Sequence, residues 1–309
     1  TDSHHIAGDY PGFWPPAFPI IPGHEWAGDI VKLGPGADKV GWKVGDRVAG
    51  TSHDACGVCQ PCVEGRYNLC QNYGVAGLHR QYGHNYQGAD AEYVVHGVKC
   101  IFPLPDDISY EVGAVIDPAS LALHCARRGG VKPGDNVAII GAGPVGLLGA
   151  DSALALGAGR VIVVGRGLRL QKALEMGFEG VDTNAGDPVA AVRAMTAGLG
   201  ADVVIEAAGA PETLGWAMAM LRKGGRCAAV GIPTQDASID VRDLVLYELE
   251  LVGSRASAGE MRRVMPLVAD GRIRLPEIMT HEFALTDFGE ALATFRDRSS
   301  GAIKITIKP

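Results

Sequence analysis

The stretch Val137–Gly146 constrains the fold of this chain more strongly than its other segments do. It reads Val-Ala-Ile-Ile and then Gly141-x-Gly143-x-x-Gly146, and an Ala- and Leu-rich helix is predicted from Leu147 to Leu156. The four apolar residues favour a buried parallel strand. Gly141 permits a tight turn, Gly143 leaves room for a pyrophosphate, and Gly146 allows the helix and strand to pack closely. Because strand, glycine turn and helix follow in this order, the motif predicts a dinucleotide site rather than an ordinary glycine-rich turn.

Composition excludes several classes of protein. The chain has 309 residues, which favours two domains, and a net charge of −7. No basic field is available for nucleic acid or a membrane surface, so we expect neither as a partner. No apolar run reaches the roughly 18 residues that span a bilayer. No stretch at the start has the character of a signal peptide.

Cysteines cluster in one short segment of the sequence. Four of the seven lie in Cys56-x2-Cys59-x2-Cys62-x7-Cys70. Four thiolates on one loop can close a tetrahedron around zinc and leave no open position, which is typical of a structural site. Two disulfides or free thiols are the alternative. Dense clustering in a long acidic chain favours metal, and it predicts a reducing, cytoplasmic location.

The rest of the first third of the chain predicts short strands separated by glycine turns. They are expected at Asp29–Leu33, Ala91–Val95 and Lys99–Pro103, and Val44–Ala49 is expected to be a turn that enters a further short strand. This pattern is typical of a compact, partly closed β-barrel. The final segment Lys304–Lys308 alternates like a strand, and we expect it to return to this lobe.

From Ser120 onward the sequence alternates between helix and strand. Strands are predicted at Val137–Ile140, Arg160–Val164, Ala201–Glu206, Arg226–Val230 and Leu249–Val252. Such alternation predicts a doubly wound parallel sheet with helices on both faces, hence an α/β fold.

The end of the second strand of this sheet bears on cofactor choice. An acidic residue there, about 20 residues after the glycine motif, binds the 2′-hydroxyl of NAD. In this chain the position is Gly165, followed by Arg166 and, one turn on, Arg169. A guanidinium group can bind a 2′-phosphate that a carboxylate would repel, so we expect NADP to be favoured over NAD. The alternative is that both arginines are solvated charges at a helix start.

Five segments taken together match the pattern of one enzyme family. They are Gly23-His-Glu-x-x-Gly28 with Gly34 at its spacing, the four-cysteine lobe, Val44–Val48, Ile116–Leu121 and the glycine motif. Together they resemble the zinc-dependent medium-chain alcohol dehydrogenases, close to the polyol and secondary-alcohol branch, over essentially the whole chain. The resemblance implies a GroES-like, partly closed β-barrel catalytic domain and a doubly wound Rossmann domain. We expect the catalytic domain at residues 1–118 and 255–309, its structural zinc lobe at 52–72, and the dinucleotide-binding domain at 119–254.

The resemblance also implies a second, catalytic zinc held by a Cys, a His and a third ligand. His24 matches the His, Asp117 matches the third ligand, and Glu25 matches a neighbouring glutamate that ligates or exchanges with water. The alternatives are a structural core histidine and an aspartate that caps a helix.

The family motif Cys-Gly-(Ser/Thr)-Asp-x-His is matched only in its second part. Thr1, Asp2 and His4 match its end, and its Cys falls two residues before Thr1. We therefore expect the sequence to be truncated at its N-terminus, with an incomplete catalytic zinc site. The implied roles are a Thr1 hydroxyl that takes the alcohol proton, His4 as the group that exchanges it with solvent, and Asp2 as an orienting carboxylate.

The expected reaction is hydride transfer between a polyol or secondary alcohol and a nicotinamide, giving a ketone or aldehyde. Expected cofactor contacts are Gly141, Gly143, Pro144, Val145, Gly146, Gly165, Arg166, Arg169, Ala208, Val230 and Ile232. The family implies a homo-oligomer, a dimer or tetramer. Two rivals remain open, namely a metal-free quinone-reductase-like enzyme and a non-catalytic, zinc-stabilised nucleotide sensor. Two zinc ions per chain would favour the dehydrogenase over both.

Overall fold

The computed structural model of the protein describes residues 2–9 and 19–309. The first part of the chain contains α1 (Asp2–Ala7), β1 (Trp26–Asp29), β2 (Arg47–Gly50), β3 (His53–Asp54), α2 (Gln60–Val63), β4 (Arg80–Gln81), β5 (Ile101–Pro103), α3 (Tyr110–Ala114) and α4 (Ile116–Gly129).

The strands of this first part form two small sheets. β1, β2 and β5 make a three-stranded antiparallel sheet in which Ala49 of β2 lies opposite Ala27 on one side and Phe102 on the other. β3 and β4 form a separate antiparallel ribbon. The strand expected at 29–33 lies earlier, at Trp26–Asp29. Thr51, between β2 and β3, lies against Asp117 in the first turn of α4.

The prediction of a strand at Ala91–Val95 is wrong. This segment is irregular, and the side chains of Tyr93 and Val95 are 73% and 89% exposed. An apolar alternation forms a strand only where a neighbouring backbone completes the ladder and a core covers one face. Among residues 2–9 and 19–309, no strand pairs with this segment.

The second part of the chain is one open sheet with its crossover helices. It contains β6 (Asn136–Ile140), α5 (Pro144–Ala155), β7 (Arg160–Gly165), α6 (Gly167–Glu175), β8 (Glu179–Asp182), α7 (Pro188–Met195), β9 (Ala201–Glu206), α8 (Thr213–Met220), β10 (Leu221–Ala229), α9 (Val241–Leu246) and β11 (Glu250–Gly253). The strand order is β11-β10-β9-β6-β7-β8, and every pairing is parallel. The predicted doubly wound α/β sheet is therefore confirmed. The order reverses between β6 and β9, so the crevice at their carboxyl ends is where such a sheet binds a dinucleotide.

The continuous apolar run of β6 reflects burial on both faces. Val137 and Ile139 belong to one hydrophobic core, and Ala138 and Ile140 belong to the core on the opposite face. All four side chains are at most 2% exposed. Successive strand residues point to opposite faces, so a strand covered by helices on both sides is apolar at every position.

The chain ends with α10 (Met261–Ala269), α11 (Leu275–Ile278), β12 (Met279–Ala284), α12 (Phe288–Arg296) and β13 (Lys304–Lys308). The predicted final strand is confirmed, and it pairs in parallel with β12. Among the described residues there are also five short 3-10 helices, at Asp38–Val40, Tyr67–Leu69, Val98–Cys100, Leu285–Asp287 and Arg298–Ser300.

No helix in the described part of the chain is both long and apolar enough to cross a membrane.

Candidate metal and dinucleotide sites

Four cysteine thiols converge in the lobe around α2. The Sγ atoms of Cys56, Cys59, Cys62 and Cys70 all lie within 4.8 Å of one another. Two Sγ pairs, Cys56–Cys62 and Cys59–Cys70, are 3.9 Å apart, which is far beyond a disulfide bond of ~2.05 Å. Each of the four is a free thiol. This spacing suits four ligands around one tetrahedral ion, so the donor set and its geometry fit zinc.

Backbone amides surround these sulfurs. The Val58 N–H donates to Cys56 Sγ at 3.5 Å, and it and neighbouring donors lower the pKa of Cys56 to about 6. The Gln71 N–H donates to Cys59 Sγ at 3.4 Å and lowers the pKa of that thiol. Burial raises the pKa of Cys62 to about 12 and also raises that of Cys70. The N–H···S hydrogen bonds favour the thiolate form that metal ligation requires.

A second group of polar side chains is centred on His24, just before β1. The His24 ring is buried, its Nδ1 lies 3.4 Å from Asp2 Oδ1, and its Nε2 lies 3.7 Å from Glu25 Oε1. The other carboxylate oxygen of Glu25 contacts the ammonium group of Lys304 in β13. Asp2 and Glu25 thus face opposite nitrogens of one imidazole ring.

The charges around His24 act on one another. Burial opposes protonation of His24, but the carboxylates of Asp2, Glu25 and Asp117 outweigh it and raise the pKa of this imidazole. Burial likewise opposes ionisation of Asp2, and His24 reverses this and lowers the pKa of Asp2. Burial raises the pKa of Asp117 and of Asp90 to about 6 each. The carboxyl groups of Asp2, Glu25, Asp90 and Asp117 therefore all interact electrostatically with one buried imidazole.

Asp117 is held at the start of α4. Its Oδ1 accepts a hydrogen bond of 2.6 Å from the hydroxyl of Thr51, which follows β2. The Ser120 hydroxyl donates to the Asp117 backbone carbonyl at 2.7 Å. The Asp117 side chain thus points toward the first lobe and into electrostatic reach of His24.

The described residues do not assemble a closed set of metal ligands around His24. Within residues 2–9 and 19–309, the four cysteines are the only group of three or more His, Cys, Asp or Glu whose ligand atoms all lie within 4.8 Å of one another. Thr1 lies outside the described residues. The His4 side chain is half exposed, and its Nδ1 lies 2.6 Å from Asp9 Oδ2 rather than at His24.

The glycine motif forms the turn between β6 and α5. Gly141 has φ = +104°, and a side chain there would also meet the backbone of Ala208 at 3.0 Å. A Cβ at Gly146 would lie 1.7 Å from the carbonyl oxygen of Gly141. At Gly143, in contrast, a Cβ would come no closer than 3.9 Å to any atom, that atom being Arg169 Nη1. The space above Gly143 is therefore open beside the N-terminus of α5, where Pro144 and Val145 begin the helix.

The two arginines after β7 have different surroundings. Arg166 is exposed and precedes α6 at the end of β7. Arg169 donates to the Ala302 carbonyl at 2.8 Å and lies over the Phe295 ring, 5.7 Å from its centroid. Burial lowers the pKa of Arg169. Arg169 thus anchors the segment around Ala302, while Arg166 is exposed at the end of β7.

The ends of β9 and β10 meet across the same crevice. Glu206 Oε1 accepts hydrogen bonds from the N–H groups of Ala208 (2.9 Å) and Gly209 (2.8 Å). The Val230 N–H donates to the Glu206 carbonyl at 2.9 Å, and Ile232 is half exposed. The expected contacts Ala208, Val230 and Ile232 therefore share one edge of the sheet with the glycine turn.

Sequence reasoning missed three residues of the His24 region. Thr51, Asp90 and Lys304 lie far from His24 in the sequence, and none of them belongs to a motif. The only available signal was the expectation that the last strand returns to the first lobe, which brings Lys304 close to Glu25.

The chain matches two family models. Residues 1–106 match the alcohol dehydrogenase GroES-like domain, and residues 144–270 match the zinc-binding dehydrogenase model. Sorbitol dehydrogenase of Bacillus subtilis is 32% identical over 312 residues, covering 100% of this chain and 86% of that protein.

Two solved structures show the same architecture. The 2R,3R-butanediol dehydrogenase from Bacillus subtilis superposes with a TM-score of 0.85 at 31% identity, covering 96% of this chain and 82% of that one. A zinc-binding dehydrogenase from Sinorhizobium meliloti, bound to NADP, gives a TM-score of 0.90 at 30% identity, covering 100% and 88%. The chain therefore belongs to the zinc-dependent medium-chain alcohol dehydrogenases, in their polyol branch, and is an oxidoreductase with a GroES-like and a Rossmann domain.

Proposed function

We propose that this protein transfers a hydride between a polyol or secondary alcohol and NADP, with one structural and one catalytic zinc. The observation that carries the proposal is the His24 imidazole held between the carboxylates of Asp2 and Glu25. The relatives support the substrate class, because they are named for sorbitol and for 2R,3R-butanediol.

The residues of the His24 region fit a catalytic zinc ion in chemistry and charge. Imidazole and carboxylate groups are zinc ligands. Asp2, Glu25, Asp90 and Asp117 surround His24, and Lys304 supplies one countercharge. A divalent cation would balance the remaining negative charge. We assign His24 and Asp117 as ligands, with Glu25 in reach as a further oxygen donor.

When bound, zinc supplies Lewis-acid chemistry to the substrate oxygen, and the nicotinamide supplies the hydride chemistry. The protein's own side chains orient the metal ligand and transfer protons. Asp2 lies at His24 Nδ1, which leaves Nε2 on the side of Glu25 for ligation. Thr1 is assigned as the group that takes the alcohol proton. His4 is half exposed and can exchange that proton with solvent.

The glycine turn fits a dinucleotide. The open space above Gly143 admits a pyrophosphate, and the free N–H groups of α5 face it. Preference for NADP rests on Gly165, which carries no carboxylate, and on the exposed guanidinium group of Arg166. An NADP-bound structural relative supports the assignment.

The four cysteines are assigned to the structural zinc. Changing Cys59 to Ser should lower the zinc content by one ion per chain and lower the melting temperature, because metal binding stabilises the fold of a closed site. Cys227→Ala changes a buried free thiol outside the lobe and serves as the control for zinc content. An unchanged zinc content in Cys59→Ser would contradict the assignment.

We also propose a homo-oligomer formed through the nucleotide-binding sheet. β11 lies at the edge of that sheet, and Val245, Leu246 and Leu251 are exposed apolar side chains on and beside it. An uncovered strand edge with adjacent apolar surface favours pairing with a second copy. Sedimentation of the purified protein at several concentrations tests this, and a monomer at all of them would refute it.

The reaction itself is tested by a substrate panel. Sorbitol, xylitol and 2,3-butanediol are supplied with NADP or NAD, and formation of reduced nicotinamide is followed by absorbance. His24→Ala should abolish turnover and retain NADPH binding measured by fluorescence, whereas His281→Ala in β12 should behave like wild type. Turnover that survives in His24→Ala, or no oxidation of any alcohol by wild type, contradicts the proposal.

A further inference from the structure

The hydroxyl of Thr51 and the carboxylate of Asp117 form a partly buried contact between two distant segments. The hydrogen bond is 2.6 Å long and joins residues 66 positions apart. Thr51 is 3% exposed. A hydroxyl that donates to a partly buried carboxylate stabilises its charged form and restrains its orientation.

Thr51 is itself fixed by the backbone. It follows β2 directly, and its N–H donates to the Cys100 carbonyl at 2.8 Å, just before β5. Cys100 is fully buried. Threonine is branched at Cβ and therefore restricted in χ1, so a fixed backbone also fixes the direction of its hydroxyl. The backbone contact and the restricted χ1 therefore limit the directions in which the hydroxyl can donate.

The second hydrogen bond at Asp117 engages its main chain rather than its carboxylate. Its backbone carbonyl is held by Ser120, within the first turn of α4. That contact fixes the main chain and not the side-chain torsion. The Thr51 hydroxyl engages one carboxylate oxygen, Oδ1, so Oδ2 is the oxygen that can serve as a ligand.

We propose that Thr51 is a positioning residue that presents Asp117 as a one-oxygen ligand to the catalytic metal. The inference rests on the proposed function, since it takes Asp117 as a ligand. Partners that orient a metal ligand contribute about 10- to 100-fold in metal affinity or activity. Thr51 therefore acts through Asp117 and does not touch the substrate.

The test measures metal binding in the full-length zinc-loaded protein. The variants are Thr51→Val, which keeps the shape and removes the hydroxyl, and Thr51→Ser, which keeps the hydroxyl. Ser52→Ala is the matched control, because Ser52 is the buried neighbour of Thr51. Zinc per chain, competition with a chelator, and the visible spectrum after cobalt(II) substitution are recorded, together with the melting temperature. The cysteine-bound ion is an internal reference.

Thr51→Val should lower the affinity for the second metal ion about 10- to 100-fold and shift the cobalt spectrum. The affinity for the cysteine-bound ion should not change. Thr51→Ser and Ser52→Ala should match wild type. A Thr51→Val protein with wild-type metal affinity and spectrum overturns the inference.

Asp117→Asn separates this inference from the proposed function. If Asp117→Asn loses the second ion while Thr51→Val retains it fully, the ligand assignment stands and only the role of Thr51 fails. If Asp117→Asn keeps two ions with wild-type affinity, the ligand assignment fails and the role of Thr51 fails with it.

Discussion

Lys304 forms an ion pair with Glu25 across 279 positions of the chain. Lys304 is the first residue of β13, and Glu25 immediately follows His24. The two side chains are only 21% and 20% exposed. The ammonium group contacts Oε2 of Glu25, and Oε1 lies 3.7 Å from His24 Nε2. The last strand of the chain thus sets which oxygen of Glu25 faces the candidate metal position.

Replacing Lys304 by Met should destabilise the protein by about 2–3 kcal/mol, because it removes the nearer of two charge partners of the mostly buried Glu25 carboxylate. This value lies below the about 3–5 kcal/mol typical of a fully buried pair, because both side chains keep some contact with solvent and Glu25 keeps the His24 ring nearby. Lys304→Arg retains the charge and should recover most of the stability. Denaturant unfolding of the three proteins measures the difference. Equal stability of Lys304→Met and wild type would show that the pair contributes nothing.

Local pattern predicted the nucleotide-binding half of this protein well. Val137–Ile140 is apolar at every position because helices cover both faces of its strand, and this property is visible in the sequence. The contact between Lys304 and Glu25 was not predictable, since it depends on where β13 lies in the folded chain. The segment Ala91–Val95 failed for the same reason, because a strand needs a partner that the local pattern does not reveal.

Glu260 links α4 to the segment that follows β11. Its Oε1 lies 2.5 Å from Arg127 Nη1, and its Oε2 lies 3.2 Å from His124 Nδ1. The Ala258 N–H donates to Oε2 at 2.7 Å, and the Glu260 side chain is 2% exposed. Burial opposes its ionisation, but the hydrogen bond from His124 and the charge of Arg127 lower the pKa of Glu260.

This lowered pKa predicts a pH-dependent contribution to stability. Because the carboxyl is more acidic when folded, its stabilisation is fully present above the ordinary pKa of 4.5 and is lost as pH falls through the lowered value. Glu260→Gln should therefore be less stable than wild type at neutral pH, and the gap should narrow below 4.5. Melting temperatures from pH 7 to about 3 measure this. The exposed Glu212→Gln is the control, and a gap that stays constant over this range would contradict the prediction.

Arg166 should determine the preference for NADP. Charged hydrogen bonds of ~1.5–3 kcal/mol correspond to roughly 10- to 150-fold in selectivity. Arg166→Ala should lower kcat/KM for NADP by that factor and leave the value for NAD nearly unchanged. Arg242→Ala, which removes another exposed guanidinium group, should change neither. If kcat/KM of the wild-type protein for NAD equals or exceeds the value for NADP, the assignment is wrong.

Reversing the preference requires a compensating change in the turn. An acidic residue at Gly165 is the obvious substitution, but a Cβ there would lie 2.9 Å from the Cβ of Ala142. Gly165→Asp alone therefore tests steric strain as much as charge. We expect Gly165→Asp combined with Ala142→Gly and Arg166→Ala to fold and to favour NAD, measured as the ratio of kcat/KM for the two cofactors. Ala142→Gly alone controls for the loss of the methyl group.

Two glycines of the turn should respond in opposite ways to the same substitution. Gly143 has φ = −80° and ψ = −177°, values that alanine adopts readily, and its Cβ would meet no atom closer than 3.9 Å. Gly143→Ala should therefore fold with near wild-type stability but bind NADPH more weakly, because its methyl group occupies the space of the pyrophosphate. At Gly146 a Cβ would lie 1.7 Å from the Gly141 carbonyl oxygen. Gly146→Ala should therefore have a lower melting temperature than wild type, unlike Gly143→Ala. Melting temperature and NADPH titration are measured on both variants. If Gly143→Ala binds NADPH like wild type, the pyrophosphate does not pass over Gly143, and the dinucleotide must bind elsewhere on the sheet.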